Sequence, residues 1–177
     1  MKLTIELKPG ATDALLPADK VLAQAAGRGV SNAVKRHLVE RDRIGRKDGL
    51  PRTGYWGDAA ESVTTAFDAN RALVSIHKEG VALHYYGGVV YPVEAKALAI
   101  PKTAAAAGKR PAEYDPDRSK LALVWPEGAR TGSLRDKETG ETVYLLVSKA
   151  TVKADRSVLP DDAALLDAAE KAMESII

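Results

Sequence analysis

The 177-residue chain has a formal net charge of +2, 45% hydrophobic residues and no cysteine. That size fits one domain with a sizeable core, and the lack of cysteine excludes disulfides and thiolate-held zinc or iron–sulfur sites. The small charge does not announce nucleic-acid binding, and no apolar run approaches the ~20 residues of a membrane span. Aromatics are only 5% of the chain, and an alanine-rich core buries little area per residue, so partner subunits are expected to contribute stability.

Leu3, Ile5 and Leu7 alternate with Lys2, Thr4, Glu6 and Lys8, which predicts a half-buried strand ended by Pro9-Gly10. No signal peptide is read in this start. Such a strand suits a sheet edge, or an arm (residues 1–10) that pairs with a neighbouring subunit. From about Ala18 to Ile44 the period becomes helical. Val30, Ala33, Val34, His37, Leu38 and Arg41 fall on one face, with a kink or break expected at Gly27 and Gly29. Leu38 is a predicted core residue. His37 reads as a satisfied core histidine, because no metal-ligand spacing accompanies it.

Arg41, Arg43, Arg46, Lys47 and Arg52 crowd the helix end and the next loop. They either complement the helix dipole or form a basic loop facing DNA or an acidic partner. Thr53–Ser62 is predicted as a short helix with Thr53 as N-cap. Thr64–Asp68 and Arg71–Lys78 read as strands joined by Asp68-Ala69-Asn70, with Val74 and Ile76 inward and His77 outward.

The stretch Gly80–Pro101 holds three of the six tyrosines and a Gly-Gly pair. Val81, Ala82, Tyr85 and Tyr86 form a helical turn leading into Gly87-Gly88, at least one of which is expected at positive φ. Val89–Tyr91, closed by Pro92, and Leu98–Ile100, stopped by Pro101, read as short strands of a core hairpin. His84 has no carboxylate or nucleophile at a recognisable spacing for acid–base chemistry.

Lys102–Ser119 is predicted as a long loop, functional or disordered, with Lys109 and Arg110 at its tip as further candidate partner or DNA contacts. Leu121–Trp125 is a strand stopped by Pro126. Ser133–Lys137 and Glu141–Lys149 form a hairpin around Thr139-Gly140. Val143, Leu145 and Val147 point one way and Tyr144 and Leu146 the other, so this strand is central or covered by another subunit. Pro160 is placed at the first position of the last helix, with Asp161 and Asp162 in its first turn. Leu165, Ala169, Ala172, Met173 and Ile176 form its stripe, and the apolar Ile176-Ile177 is expected to be docked.

Short helices and strands in this order predict an α+β fold. An antiparallel sheet is packed by a long N-terminal helix, a short helix and a C-terminal helix in a single domain, 1–177. No P-loop, dinucleotide-binding fingerprint, nucleophile elbow or metal spacing is present, so no enzyme, metal or cofactor is predicted. A nucleic-acid-binding module using Arg41–Arg52 is one alternative, and a hydrolase or metal enzyme built on His37, His77 and His84 is another.

ALHYYGGVVYPVEAKALAIP resembles the Y-x-G-G-x-I-x-P…K-x-L-x-I-P signature of phage virion-morphogenesis (tail-completion) proteins. The matching positions are Tyr86, Gly87, Gly88, Val90, Pro92, Lys96, Leu98, Ile100 and Pro101. LPRTGYWGDAAESV and YLLVSKATVKADRSVLP resemble flanking segments of that family, and the ordered similarity covers roughly residues 30 to 175. The resemblance implies a virion structural protein at the head–tail junction or tail end, assembled in the bacterial host cytoplasm. It implies a ring, commonly hexameric, touching other neck and tail proteins, with DNA passing through the lumen and no membrane. Tyr86, Gly87, Gly88, Pro92, Leu98 and Pro101 would be its turn and packing signature.

Overall fold

In the computed structural model residues 2–6, 16–44, 52–68 and 71–176 are described, with side chains from residue 20 onward. Leu7, Pro9-Gly10, Arg46, Lys47, Ala69-Asn70 and Ile177 lie outside them. The fold is α+β with antiparallel sheets, and its contacts gather into two units. Unit 1 comprises Met1–Ile44, Gly54–Tyr86 and Ala154–Ile177; unit 2 comprises Gly45–Thr53 and Gly87–Lys153.

Unit 1 is built on α1, Leu16–Ile44. Ala26, Val30, Val34 and Leu38 recur at every fourth residue and all are buried, as an amphipathic helix on a core requires. They form one core with Val74 and Ile76 of β3 (Arg71–Ile76), Ala59 and Ala60 of α2 (Tyr55–Glu61), and Val81 of α3 (Val81–Tyr86). Each large aliphatic side chain fully buried there contributes about 1.5–3 kcal/mol. The sheet has the order β1-β3-β2, with β1 at Lys2–Glu6 and β2 at Val63–Asp68. Strand β1 is an edge strand as predicted, and its partner is β3 of the same chain, from Lys2 opposite Ser75 to Glu6 opposite Arg71.

Helix α1 has no break at Gly27 or Gly29, and the reason is packing. A Cβ at Gly27 would lie 2.5 Å from that of Ala72 on β3. One at Gly29 would lie 2.2 Å from the carbonyl oxygen of Ala168 on α5, Asp162–Glu174. The glycines let α1 sit close to the sheet on one side and to α5 on the other, and those contacts offset their helix-propensity cost of about 1 kcal/mol each.

Two predicted caps are corrected. Gly54, with φ 72°, precedes α2 in a left-handed conformation that threonine resists, so Thr53 is not the cap. The Asp161 side chain accepts the Ala164 N–H at 2.8 Å, which makes Asp161 the N-cap of α5 and leaves Pro160 outside the helix. Ile176 also leaves the predicted stripe. It lies beyond Glu174, the last residue of α5, and is 48% exposed.

Unit 2 holds a four-stranded sheet of order β5-β8-β7-β6. Its strands are β5 (Leu98–Pro101), β6 (Leu121–Val124), β7 (Thr131–Asp136) and β8 (Thr142–Val147). Strand β8 is central, as its two apolar faces predict. The β7–β8 turn is held by Asp136, whose carboxylate accepts the N–H groups of Glu138 and Thr139, with Gly140 at φ 73°. Trp125 lies over Gly132: a Cβ there would come within 2.2 Å of the indole, whose N–H donates to Ala129 O at 3.1 Å.

The expected hairpin of Val89–Tyr91 with Leu98–Ile100 does not form. Strand β4 is Gly88–Val90 and pairs with β9, Ala150–Val152, while β5 pairs with β8. Lys102–Ser119 is also not a bare loop. It contains a 3-10 turn at Ala104–Ala106 and a short helix, α4, at Pro111–Tyr114. Buried Asp115 staples its end by accepting the N–H groups of Ser119, Lys120 and Leu121. Ala106, Val143 and Tyr144 make the core here, and the Tyr144 hydroxyl donates to Lys109 O at 3.1 Å.

Candidate functional site

The cationic residues singled out from the sequence separate into three groups. Arg41 is spent inside unit 1. Its guanidinium pairs with the Asp155 carboxylate, donates to the carbonyl and hydroxyl oxygens of Ser157 at 3.2 Å, and lies 4.9 Å from the Trp56 ring centre. His37 Nε2 bonds to Ser157 O at 2.8 Å, so this histidine is satisfied as predicted, but it is half-buried at the surface and not a core residue. The hydroxyl of Ser157 and the guanidinium of Arg41 hold the Asp155 carboxyl down to about 2. Arg43 forms a two-point pair with Glu40 at 2.8 Å, on the exposed helix surface where such pairs contribute little.

Arg52, Lys109 and Arg110 are exposed in unit 2. The chain brings them into one neighbourhood, because a Cβ at Gly108 would lie 3.4 Å from Thr53 Cγ2. The Lys109 carbonyl and Arg110 N–H are held by Tyr144 and Glu113, while both charged ends point to solvent.

The signature residues divide at the boundary between the units. Tyr86 ends α3 in unit 1 and is 60% exposed; Gly87 opens unit 2. Gly87 has φ 75°, which meets the expectation of a turn needing positive φ. Gly88 stands opposite Val152, Leu98 opposite Val147 and Pro101 opposite Tyr144. Pro92 follows β4 and is half-buried. These positions set turns and pairings and hold no titratable cluster.

An aromatic and cationic cluster in unit 1 was not legible as such. Trp56 meets Tyr55 edge to face with centroids 4.8 Å apart, and His84 packs on both rings at 5.2 and 5.7 Å. Burial and the nearby Arg41 charge lower the His84 imidazole below its usual value. Arg156 lies over Tyr85 and Tyr86 at 4.4 and 5.1 Å. His77 is exposed and bonds to Thr64 Oγ1 at 2.9 Å. The three histidines thus take separate structural partners. Among the described residues no group of three His, Asp or Glu side chains is placed to hold a metal.

The outward faces of α1 and α5 carry a further pattern. On α1 the exposed side includes Arg28, Arg36, Val39 and Arg43. On α5 it includes Asp162, Leu166, Glu170 and Glu174. The two helices flank an open groove of about 1020 Å³ floored by Gly29, Ala33, Ala164 and Ala168. A sequence signal for these faces existed in the valine and leucine that interrupt otherwise polar stripes.

No family description, curated protein or solved structure matches this chain. No described helix is long and apolar enough to cross a membrane.

Proposed function

We propose that this chain is a structural protein of a phage particle. In this reading it is a subunit of a ring, commonly hexameric, at the head–tail junction or tail end, needed to complete the tail and join it to the head. Its partners are copies of itself and other neck and tail proteins, and it works in the virion without a catalytic centre or cofactor.

The resemblance of the Tyr86–Pro101 motif motivates the reading, and the surface of unit 2 carries it. Val89, Tyr91, Val93, Leu123 and Trp125 are all exposed there, Val93 at 98%. Leu123 lies on β6, an outer strand of its sheet, and Val89 lies on β4 of a two-stranded ribbon. Large apolar side chains at strand edges are a hazard for a free monomer and a contact surface for an assembly.

Within the reading, Arg52, Lys109 and Arg110 are the exposed cations for DNA in a lumen or for an acidic partner protein. The alternative, a free-standing nucleic-acid binder using Arg41–Arg52, has less support, because Arg41 and Arg43 are engaged by Asp155 and Glu40. The test is the particle. Peptides of this chain should be present in purified virions, and reconstruction should show it as a closed ring at the portal or the head-proximal end of the tail. Absence from the particle, or a location away from that axis, would overturn the proposal.

A further inference from the structure

Each of the two outward helix faces of unit 1 has an exposed aliphatic side chain with charges about one turn away. On α1, Val39 is 54% exposed, with Arg36 three residues before and Arg43 four residues after it. On α5, Leu166 is 60% exposed, with Asp162 four residues before and Glu170 four residues after it. At 1.5 Å of rise per residue the charges stand about 4.5 and 6 Å along the axis from Val39 on α1, and about 6 Å on either side of Leu166 on α5. Three residues spaced by three or four share a helix face.

The signs are opposite and much of the charge is unspent. Arg28, Lys35 and Arg36 on α1 and Asp162, Glu170 and Glu174 on α5 have no ion pair among the described residues. Arg43 is held only by its helical neighbour Glu40, at an exposed site that can exchange partners. Lys171 and Asp167, further round α5, pair with each other.

We infer that the α5 face of one copy docks on the α1 face of the next. Leu166 would meet Val39, and the acidic and basic side chains would alternate around that contact. The occupant is a second copy of this chain, because one chain presents both complementary halves. A contact between two different patches is head-to-tail, and it closes into a ring when the rotation allows. An apolar centre with a polar rim is the usual anatomy of such an interface, and the charges set register and encounter. The inference rests on the proposed ring and names its contact.

The cysteine-free sequence makes the test specific. Val39→Cys and Leu166→Cys are placed in separate full-length chains at exposed positions, mixed, and oxidised. We expect the Val39–Leu166 heterodimer to exceed either homodimer by about tenfold, with a ladder of multimers from the double variant. Arg36→Glu in the first chain should abolish the excess, and adding Glu170→Arg to the second should restore it. Homodimers and heterodimers in statistical proportion, or a heterodimer indifferent to both charge reversals, would overturn the inference. Sedimentation of the wild-type chain and its location in the particle report separately on the ring. A ring with statistical cross-linking keeps the proposed function and removes this contact.

Discussion

Replacing Gly29 with alanine sets two effects against each other. Alanine in a helix interior is favoured over glycine by about 0.8–1 kcal/mol, so propensity alone predicts stabilisation. The new methyl, however, would lie 2.2 Å from the Ala168 carbonyl oxygen and 2.7 Å from Ala172 Cβ. The first obstacle is backbone, and an ordinary carbon–oxygen contact needs about 3.3 Å, so α5 would have to move by roughly 1 Å. Overpacking of this kind costs about 1–3 kcal/mol, and the carbonyl puts this site toward the upper end. The expected net loss is about 1–2 kcal/mol, or roughly 2–8 °C in Tm for a chain of this length. Gly57 in α2 is the internal control. Its nearest obstacle is Asp42 Oδ2 at 4.0 Å, so Gly57→Ala should gain about 0.5–1 kcal/mol. Urea and thermal melts of the two variants, followed by circular dichroism, decide the matter. A Gly29→Ala chain at least as stable as wild type would refute the close approach of α1 and α5.

Leu38 is fully buried, so Leu38→Ala should cost about 2–5 kcal/mol in urea unfolding, and a loss under about 0.5 kcal/mol would contradict its core position. Asp155 is held down to about 2 by Ser157 and Arg41, so its contribution is fully present above about pH 4 and is lost as pH falls through about 2. Its side chain is 41% exposed, and solvent screening limits that contribution to about 1 kcal/mol. The lowered His84 value works in a higher window: its neutral form favours the fold above about pH 6.5, and stability should decline as pH drops below that. Urea midpoints measured from pH 8 to pH 2 should resolve both limbs, with the lower one reduced in Arg41→Ala, which leaves the Ser157 hydroxyl in place, and reduced further when Ser157→Ala is added. Asp115→Ala should free the N–H groups of Ser119, Lys120 and Leu121, so faster hydrogen exchange at those amides and a lower Tm are expected.

The parts of the fold that the sequence announced are those governed by local period. The buried stripe of α1, the alternation of β3 and the two apolar faces of β8 each follow from side-chain direction within one element. The misreadings share a different cause. Gly27 and Gly29 look like helix breakers until Ala72 and Ala168 are known to lie against them. Val89 and Leu98 look like hairpin partners because they are close in sequence, yet their strands pair with Thr151 and Val147, distant in the chain. Residues 102–119 read as a loop because the Asp115 staple joins a side chain to three backbone amides and leaves no periodic trace. For the candidate site, the sequence located the basic residues but not their use. Arg41 meets Asp155 across 114 positions, and only that pairing separates a spent cation from the exposed ones at Arg52, Lys109 and Arg110.

The pairing of β4 with β9 has a topological consequence. The chain leaves unit 1 after Tyr86 and re-enters it at Ala154. Near those points Gly88 stands directly opposite Val152, and facing residues of an antiparallel pair are only about 5 Å apart at Cα. Everything between them is therefore a detour that starts and finishes at one spot, like a loop of rope gathered by a clasp. Such a detour can lengthen or shorten at its exposed turns while Gly88 and Val152 keep their pairing. The exposed turn at Gly128, inside the detour, is therefore a place where added residues should leave the clasp in register.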